Sequence, residues 1–246
     1  MSKIVVLDSG IGGASILKAI RGRIPKANYL YFADTLNAPY GEKSEQDLYR
    51  ILTEIIDKLN KKGDVFALVL ACNTASSLCG ARLRRRYDFP IICVEPPIKV
   101  AAQMGFKKIS VLATPQTLNT NKTIKKFEQD KNLKIEKVPL KNLAKEIDEN
   151  ALNLNYLFLE LSKCLKGVKT ECAVIGCTHY NFIKSQIETI LRCKVVSCEE
   201  AVAIQTEKVL AGSCYCCAKP KLRIVLSKPN SKIRRFLKTY LNSDQS

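Results

Sequence analysis

The stretch VFALVLACNT, residues 65–74, runs seven apolar residues directly into a cysteine, an asparagine and a threonine. A continuous apolar run of this length predicts a strand covered on both faces, as in parallel sheets. The predicted strand therefore ends in small polar groups that can do chemistry. Farther along, VIGCTH (174–179) has the same form, and Cys177 lies 105 residues after Cys72. The same offset aligns KIVVLDS (3–9) with KISVLAT (108–114). One match between short apolar strands would mean little, but two at a single offset predict a duplicated α/β unit.

The remaining pattern fits that unit. YLYFAD (29–34) and PIICVE (90–95) read as further strands. Ser44 is placed to cap a helix whose Leu48, Ile51, Leu52, Ile55, Ile56 and Leu59 follow helical spacing. Helices are predicted over 120–132, 152–165, 181–192 and 199–210, and strands over 173–176 and 194–197. Strand–helix alternation predicts an α/β fold of two pseudo-symmetric domains, each a mostly parallel sheet flanked by helices. The expected boundaries place 1–96 plus 209–246 in the first domain and 97–208 in the second.

Composition narrows the class. Hydrophobic residues make up 46% of the 246 and charged residues 26%, ordinary values for a globular protein. The opening MSKIVVLDSG is too short in apolar residues for a signal-peptide core, and no apolar run approaches the ~20 residues of a membrane span. The expectation is a cytoplasmic protein without membrane contact. Eleven cysteines without a secretion signal predict reduced thiols, not a disulfide scaffold. Cys214, Cys216 and Cys217 form the one tight cluster, but the nearest earlier cysteine is Cys198 and no histidine lies near it, so no metal site is predicted. The net charge is +17, and the tail 209–246 holds eight basic residues against one acidic. Arg84–Arg86 forms a second basic patch. No aromatic residues interleave with Arg82 and Arg84–Arg86 as a base-stacking platform would need, so the charge reads first as a solvated surface. A nucleic-acid or anion-binding protein acting through that surface is the rival from another functional class.

In parallel α/β sheets, ligands collect outside the carboxyl ends of the strands. Four predicted strand ends carry polar groups: Asp8-Ser9, Cys72-Asn73-Thr74, Thr114 to Thr117, and Cys177-Thr178-His179. If the halves face each other, a ligand carbon between them has one thiol on each face. That arrangement suits removal of a proton from one face and return of a proton to the other, with Asp8 and His179 as helpers. Backbone N–H groups with Ser9, Thr74 and Thr178 could hold a carboxylate. Bland readings stand beside this one. A free cysteine after an apolar strand is usually core, which is accepted here for Cys79, Cys93, Cys164, Cys172 and Cys193. Asp8 could simply cap a helix, and SGIGG lacks the spacing of a dinucleotide signature. A Cys–His hydrolase using Cys177 or Cys72 with His179 ranks lower, because it has no clear third group to orient the base.

Taken together and in order, DSGIGG (8–13), APYGEKS (38–44), LACNTAS (70–76), VEPPIKVA (94–101), ATPQTLNT (113–120), GCTHY (176–180) and EEAVA (199–203) resemble the glutamate racemase family, within the cofactor-independent aspartate/glutamate racemases. The resemblance covers nearly the whole chain. It implies an active site between two α/β domains, interconversion of L- and D-glutamate without cofactor or metal, and supply of D-glutamate for peptidoglycan synthesis. It places Cys72 and Cys177 as the catalytic thiols and Asp8 and His179 as assisting acid–base residues. It implies substrate contacts from Asp8, Ser9, Tyr40, Gly41, Asn73, Thr74, Thr117, Thr178 and His179, and from Glu146 by an ungapped match in a variable region. A homodimer is implied as well. Racemisation of aspartate is the alternative within the family. Asn181 stands where the family usually has proline, Val138 replaces the cysteine of a usual Cys-Pro pair, and Ser197-Cys198 occupies the place of a usual aspartate.

Overall fold

The computed structural model describes residues 2–150, 153–213 and 217–243. The first layer runs β1 (Lys3–Asp8), α1 (Gly13–Arg23), β2 (Tyr29–Ala33), a 3-10 turn (Tyr40–Glu42), α2 (Glu45–Leu59), β3 (Val65–Leu70), α3 (Asn73–Arg86) and β4 (Ile91–Cys93). The chain then passes through α4 (Ile98–Gln103) into β5 (Lys108–Ala113), α5 (Pro115–Thr120), α6 (Lys122–Glu128), β6 (Lys134–Pro139), α7 (Leu143–Asn150) and α8 (Leu154–Cys164). It continues with β7 (Cys172–Ile175), a 3-10 turn (Thr178–Ile183), α9 (Lys184–Leu191), β8 (Lys194–Val196), α10 (Glu199–Leu210), β9 (Leu222–Leu226) and α11 (Ser231–Asn242).

The strands form two all-parallel sheets, ordered β4-β3-β1-β2-β9 and β6-β5-β7-β8. Read from the other edge, the second is β8-β7-β5-β6, the order of the first without β9. The duplication extends to the register. β1 meets β3 with Val5 opposite Leu68, Val6 opposite Val69 and Leu7 opposite Leu70. β5 meets β7 with Ser110 opposite Ala173, Val111 opposite Val174 and Leu112 opposite Ile175. Each pair is the earlier one displaced by 105 residues. Because one residue of slip would turn every side chain to the wrong face, shared register is a stronger sign of duplication than shared strand order.

Burial explains why the central strands are nearly all apolar. Ile4–Leu7 and Ala67–Leu70 are almost fully buried because helices cover both sheet faces. Ser44 caps α2 as its position predicts, its hydroxyl accepting from the Asp47 N–H at 3.1 Å. In each sheet the strand order reverses between the first and third strands, the switch point where ligands bind in doubly wound folds. Cys72 and Cys177 lie there, just beyond β3 and β7.

The pattern of residues passes over two strands, both at sheet edges. β6 is an edge strand that carries Lys134, Glu136 and Lys137 and buries only Val138, so it lacks the apolar run that marks a central strand. β9 pairs with β2 and belongs to the basic tail, as does α11, which buries Ile233, Leu237 and Leu241 at helical spacing. The exposed Lys232, Arg234, Arg235 and Lys238 form its outer face, so much of the tail's charge is the solvated side of an amphipathic helix. α10, expected within 97–208, packs along α1, and Arg23 bridges to Glu200 and Glu207. Arg82 pairs with Glu45 and lies over Tyr49, and Arg86 pairs with Asp57, so part of the second basic patch is engaged within the fold. Cys214 and Cys216 lie outside the described residues. Among the described residues no helix is long and apolar enough to cross a membrane.

Candidate active site

The strand ends of the two sheets close on one cleft of about 210 Å³, lined by Ser9, Tyr40, Gly41, Cys72, Thr74, Thr114, Cys177 and His179, with Leu140–Asn142, Ala144 and Lys145 as a further wall. Both thiols border it. Cys72 occupies the N-cap of α3 in extended conformation, and Cys177 holds the equivalent place before the second 3-10 turn. A group at a helix N-terminus sits in the field of unpaired N–H groups, which suits an anion beside it.

The surroundings of the two sulfurs differ. Burial pushes the Cys72 thiol up to about 12, and the nearby Asp8 carboxylate adds to the shift. The Ser9 hydroxyl lies 4.0 Å from the Cys72 sulfur. On the other side, His179 Nδ1 is 3.9 Å from the Cys177 sulfur and Nε2 is 3.1 Å from Asp148 Oδ1. Burial opposes a charge on His179, but the Asp148 carboxylate and its hydrogen bond outweigh that and hold the imidazole pKa well above its ordinary value.

Asp8 is fully buried at the end of β1. Its Oδ1 accepts from the Gly10 N–H at 2.8 Å and its Oδ2 from the Thr178 hydroxyl at 3.1 Å. Burial raises its pKa, against the opposing pull of His179. The Thr178–Asp8 bond ties the second layer to the first, and so does the Ile11 N–H, which donates to Asp148 at 3.0 Å. A third tie is a cluster of hydroxyls, Thr74 lying 3.1 Å from Thr114 and 3.2 Å from Thr117. Asn181 adds a fourth, its Nδ2 donating to Ser15 at 2.8 Å.

Most of the predicted site residues are brought together. Thr117 is fully buried in the hydroxyl cluster, behind the cleft wall. Tyr40 borders the cleft, but its hydroxyl donates to Asp34 at 2.8 Å. Asn73 is buried, and neither atom of its amide has a partner among the described residues. Leaving a buried polar group unpaired costs about 1–3 kcal/mol. Glu146 is not brought to the cleft. It turns to α8, where the Tyr156 hydroxyl donates to it at 3.0 Å, and Asp148, two residues on, meets His179. The available signal was the acidic cluster Glu146, Asp148, Glu149 in one helix, without a way to choose among its members.

The His179–Asp148 pair makes a prediction about pH. A raised folded-state pKa contributes stability that is fully present below about pH 6.5, the unfolded value, and is lost as pH rises through the folded value. His179 is the only histidine in the chain, so its ring resonances can be followed without assignment. They are expected to titrate well above 6.5, and Asp148→Asn should bring the midpoint down. A wild-type midpoint at or below 6.5 would remove the ion pair.

The sequence profile of the family described as Asp/Glu/Hydantoin racemase matches residues 14–206. The glutamate racemase of Aliivibrio salmonicida is 35% identical over 243 residues, covering 92% of this chain and 91% of its own. In three dimensions the chain resembles a glutamate racemase isoform of Bacillus anthracis, with a TM-score of 0.84 at 27% identity, covering 98% of this chain and 94% of that one. The Escherichia coli glutamate racemase, solved with L-glutamate and an activator, superposes with a TM-score of 0.83 at 26% identity, covering 97% and 95%. A repeated parallel sheet, two thiols at matched strand ends and these likenesses agree: the chain belongs to the Asp/Glu/hydantoin racemase family of isomerases.

Proposed function

We propose that this chain interconverts L- and D-glutamate by a two-base transfer of the α-proton between Cys72 and Cys177, without a cofactor. The observation that carries the proposal is the pair of thiols at register-matched strand ends bordering one cleft. One sulfur, as thiolate, takes the α-proton and leaves a carbanion. The other, as thiol, gives a proton to the opposite face, so one S–H bond forms as the other breaks. The N-terminal amides of α3, with Asn73, Thr74 and Thr178, receive the α-carboxylate, and the carbanion's charge spreads into it. Asp8 and His179 assist Cys72 and Cys177 respectively. The D-glutamate formed supplies peptidoglycan synthesis, and the reading is completed by a cytoplasmic homodimer.

The test is incubation with D-glutamate and, in parallel, D-aspartate in deuterated water, following loss of the α-proton signal and of circular dichroism. Glutamate is expected to exchange and racemise well ahead of aspartate. No exchange with either would sink the proposal, and faster exchange of aspartate would move it within the family. Nucleic-acid binding with a steep salt dependence, indifferent to Cys72→Ala and Cys177→Ala, would favour the rival acting through the basic surface.

Asn73 provides a second check. Its amide has no hydrogen-bond partner among the described residues, so Asn73→Ala should change the melting temperature of the unliganded protein little. It should, however, remove much of the thermal stabilisation that glutamate confers. Equal loss of stability with and without glutamate would show that the amide has a structural partner.

A further inference from the structure

His179 rides on the short 3-10 turn Thr178–Ile183. Such a turn has three residues per rotation, so positions i and i+3 share a face. Thr178 and Asn181 accordingly both reach the first layer. The Thr178 hydroxyl donates to Asp8 Oδ2 at 3.1 Å, and one rotation later the Asn181 amide nitrogen donates to Ser15 Oγ at 2.8 Å. The Ser15 hydroxyl donates in turn to Gly12 O at 3.0 Å, so it accepts from one layer and donates within the other. Gly12 and Ser15 share a face at the start of α1, and Gly12 lies close against Thr178 and His179. Two rungs, one rotation apart, join the turn to the first layer.

The other faces of the turn are held differently. The Tyr180 hydroxyl donates to Leu140 O at 3.0 Å, which fastens the turn to its own layer. Phe182 packs edge-on against Phe236 and Tyr240, a ring contact without the directionality of a hydrogen bond. His179 must present Nδ1 to Cys177 at 3.9 Å and Nε2 to Asp148 at 3.1 Å at the same time. Held to the first layer at Thr178 alone, the turn could roll about that point, and a roll swings the imidazole away from both partners. The Asn181 rung removes that freedom. It is kept although Asn181 Oδ1 is buried with no partner among the described residues, a costly arrangement of the kind proteins retain chiefly at functional sites.

Resting on the glutamate racemisation proposed above, we infer that Asn181 is a positioning residue: through Ser15 it fixes the rotation of the turn and so holds His179 between Cys177 and Asp148. The test measures kcat and KM for D-glutamate, thermal unfolding and the His179 ring titration in Asn181→Ala, Ser15→Ala and the double variant. Each single variant is expected to lower kcat about tenfold while KM moves less than about threefold, because alignment is lost and substrate contact is not. The double variant should be no slower than the slower single one, since both substitutions delete the same bond. The His179 midpoint should fall in both, as the ring slips from Asp148. Ser15→Ala removes the bond with a residue that helices favour, so the test stands even if Asn181→Ala fails to fold. Unchanged kcat, losses that multiply in the double variant, or a lowered kcat with an unmoved His179 midpoint would each overturn the inference. A wild type that exchanges no α-proton of glutamate would instead overturn the glutamate reading itself, and this inference with it.

Discussion

Serine in place of either Cys72 or Cys177 is expected to lower kcat for racemisation by about 10³-fold or more in both directions. A positioned acid or base contributes about 10²–10⁴-fold, and a two-base transfer needs both partners in every turnover. A serine hydroxyl cannot ionise where even a thiol is held up to about 12 by burial and a neighbouring carboxylate, as at Cys72. Serine keeps the size and hydrogen-bonding capacity of the residue, so the fold should survive and circular dichroism should match wild type. Near-normal turnover by Cys177→Ser would show that one thiol suffices. The two-base mechanism would then be wrong, though the family assignment would stand.

Gly12→Ala is expected to have the next largest effect, a loss of about 10²-fold or more in kcat/KM without loss of either sheet. Gly12 has helical backbone angles (φ −52°, ψ −46°), which alanine adopts readily, so conformational strain is not the cause. The cause is space. A Cβ there would lie 2.5 Å from Thr178 Oγ1, 2.7 Å from His179 Nδ1 and 2.8 Å from the His179 backbone nitrogen, closer than real contacts permit. The ring and backbone atoms cannot swing aside as a flexible chain end can, and the Thr178 hydroxyl is held by its hydrogen bond to Asp8. The two layers would have to part at the place where Thr178 reaches Asp8, and a misplacement of about 1 Å at such a site can cost 10²-fold. The check is kcat/KM alongside thermal unfolding. Full activity would mean that the layers separate during turnover more than the closed arrangement suggests.

The outline of the site was legible because its carriers are local. Apolar runs ending in Cys72 and Cys177 mark strand ends, and parallel sheets place ligands at strand ends. The constant offset of 105 then paired the ends, and register carries that offset into three dimensions. Asp148 was not legible, although it lies two residues from the predicted Glu146. Two residues on a helix differ by about 200° in direction. Which of them faces His179 depends on how α7 is rolled against α8 and the second 3-10 turn, and no local pattern carries that rotation.

The amino-acid sequence alone thus determined the duplicated parallel α/β plan, the two thiols and the strand ends that hold Asp8, Thr178 and His179. Each of these is written in short runs whose burial both sheets require. Tertiary structure alone decided that Asp148 pairs with His179 and that Thr74, Thr114 and Thr117 join across the layers. It also decided that β9 joins the first sheet, that α10 packs along α1 and that Asn181 reaches Ser15. These depend on contacts between distant segments, whose relative rotation and depth are set by packing and not by the periodicity of any one segment.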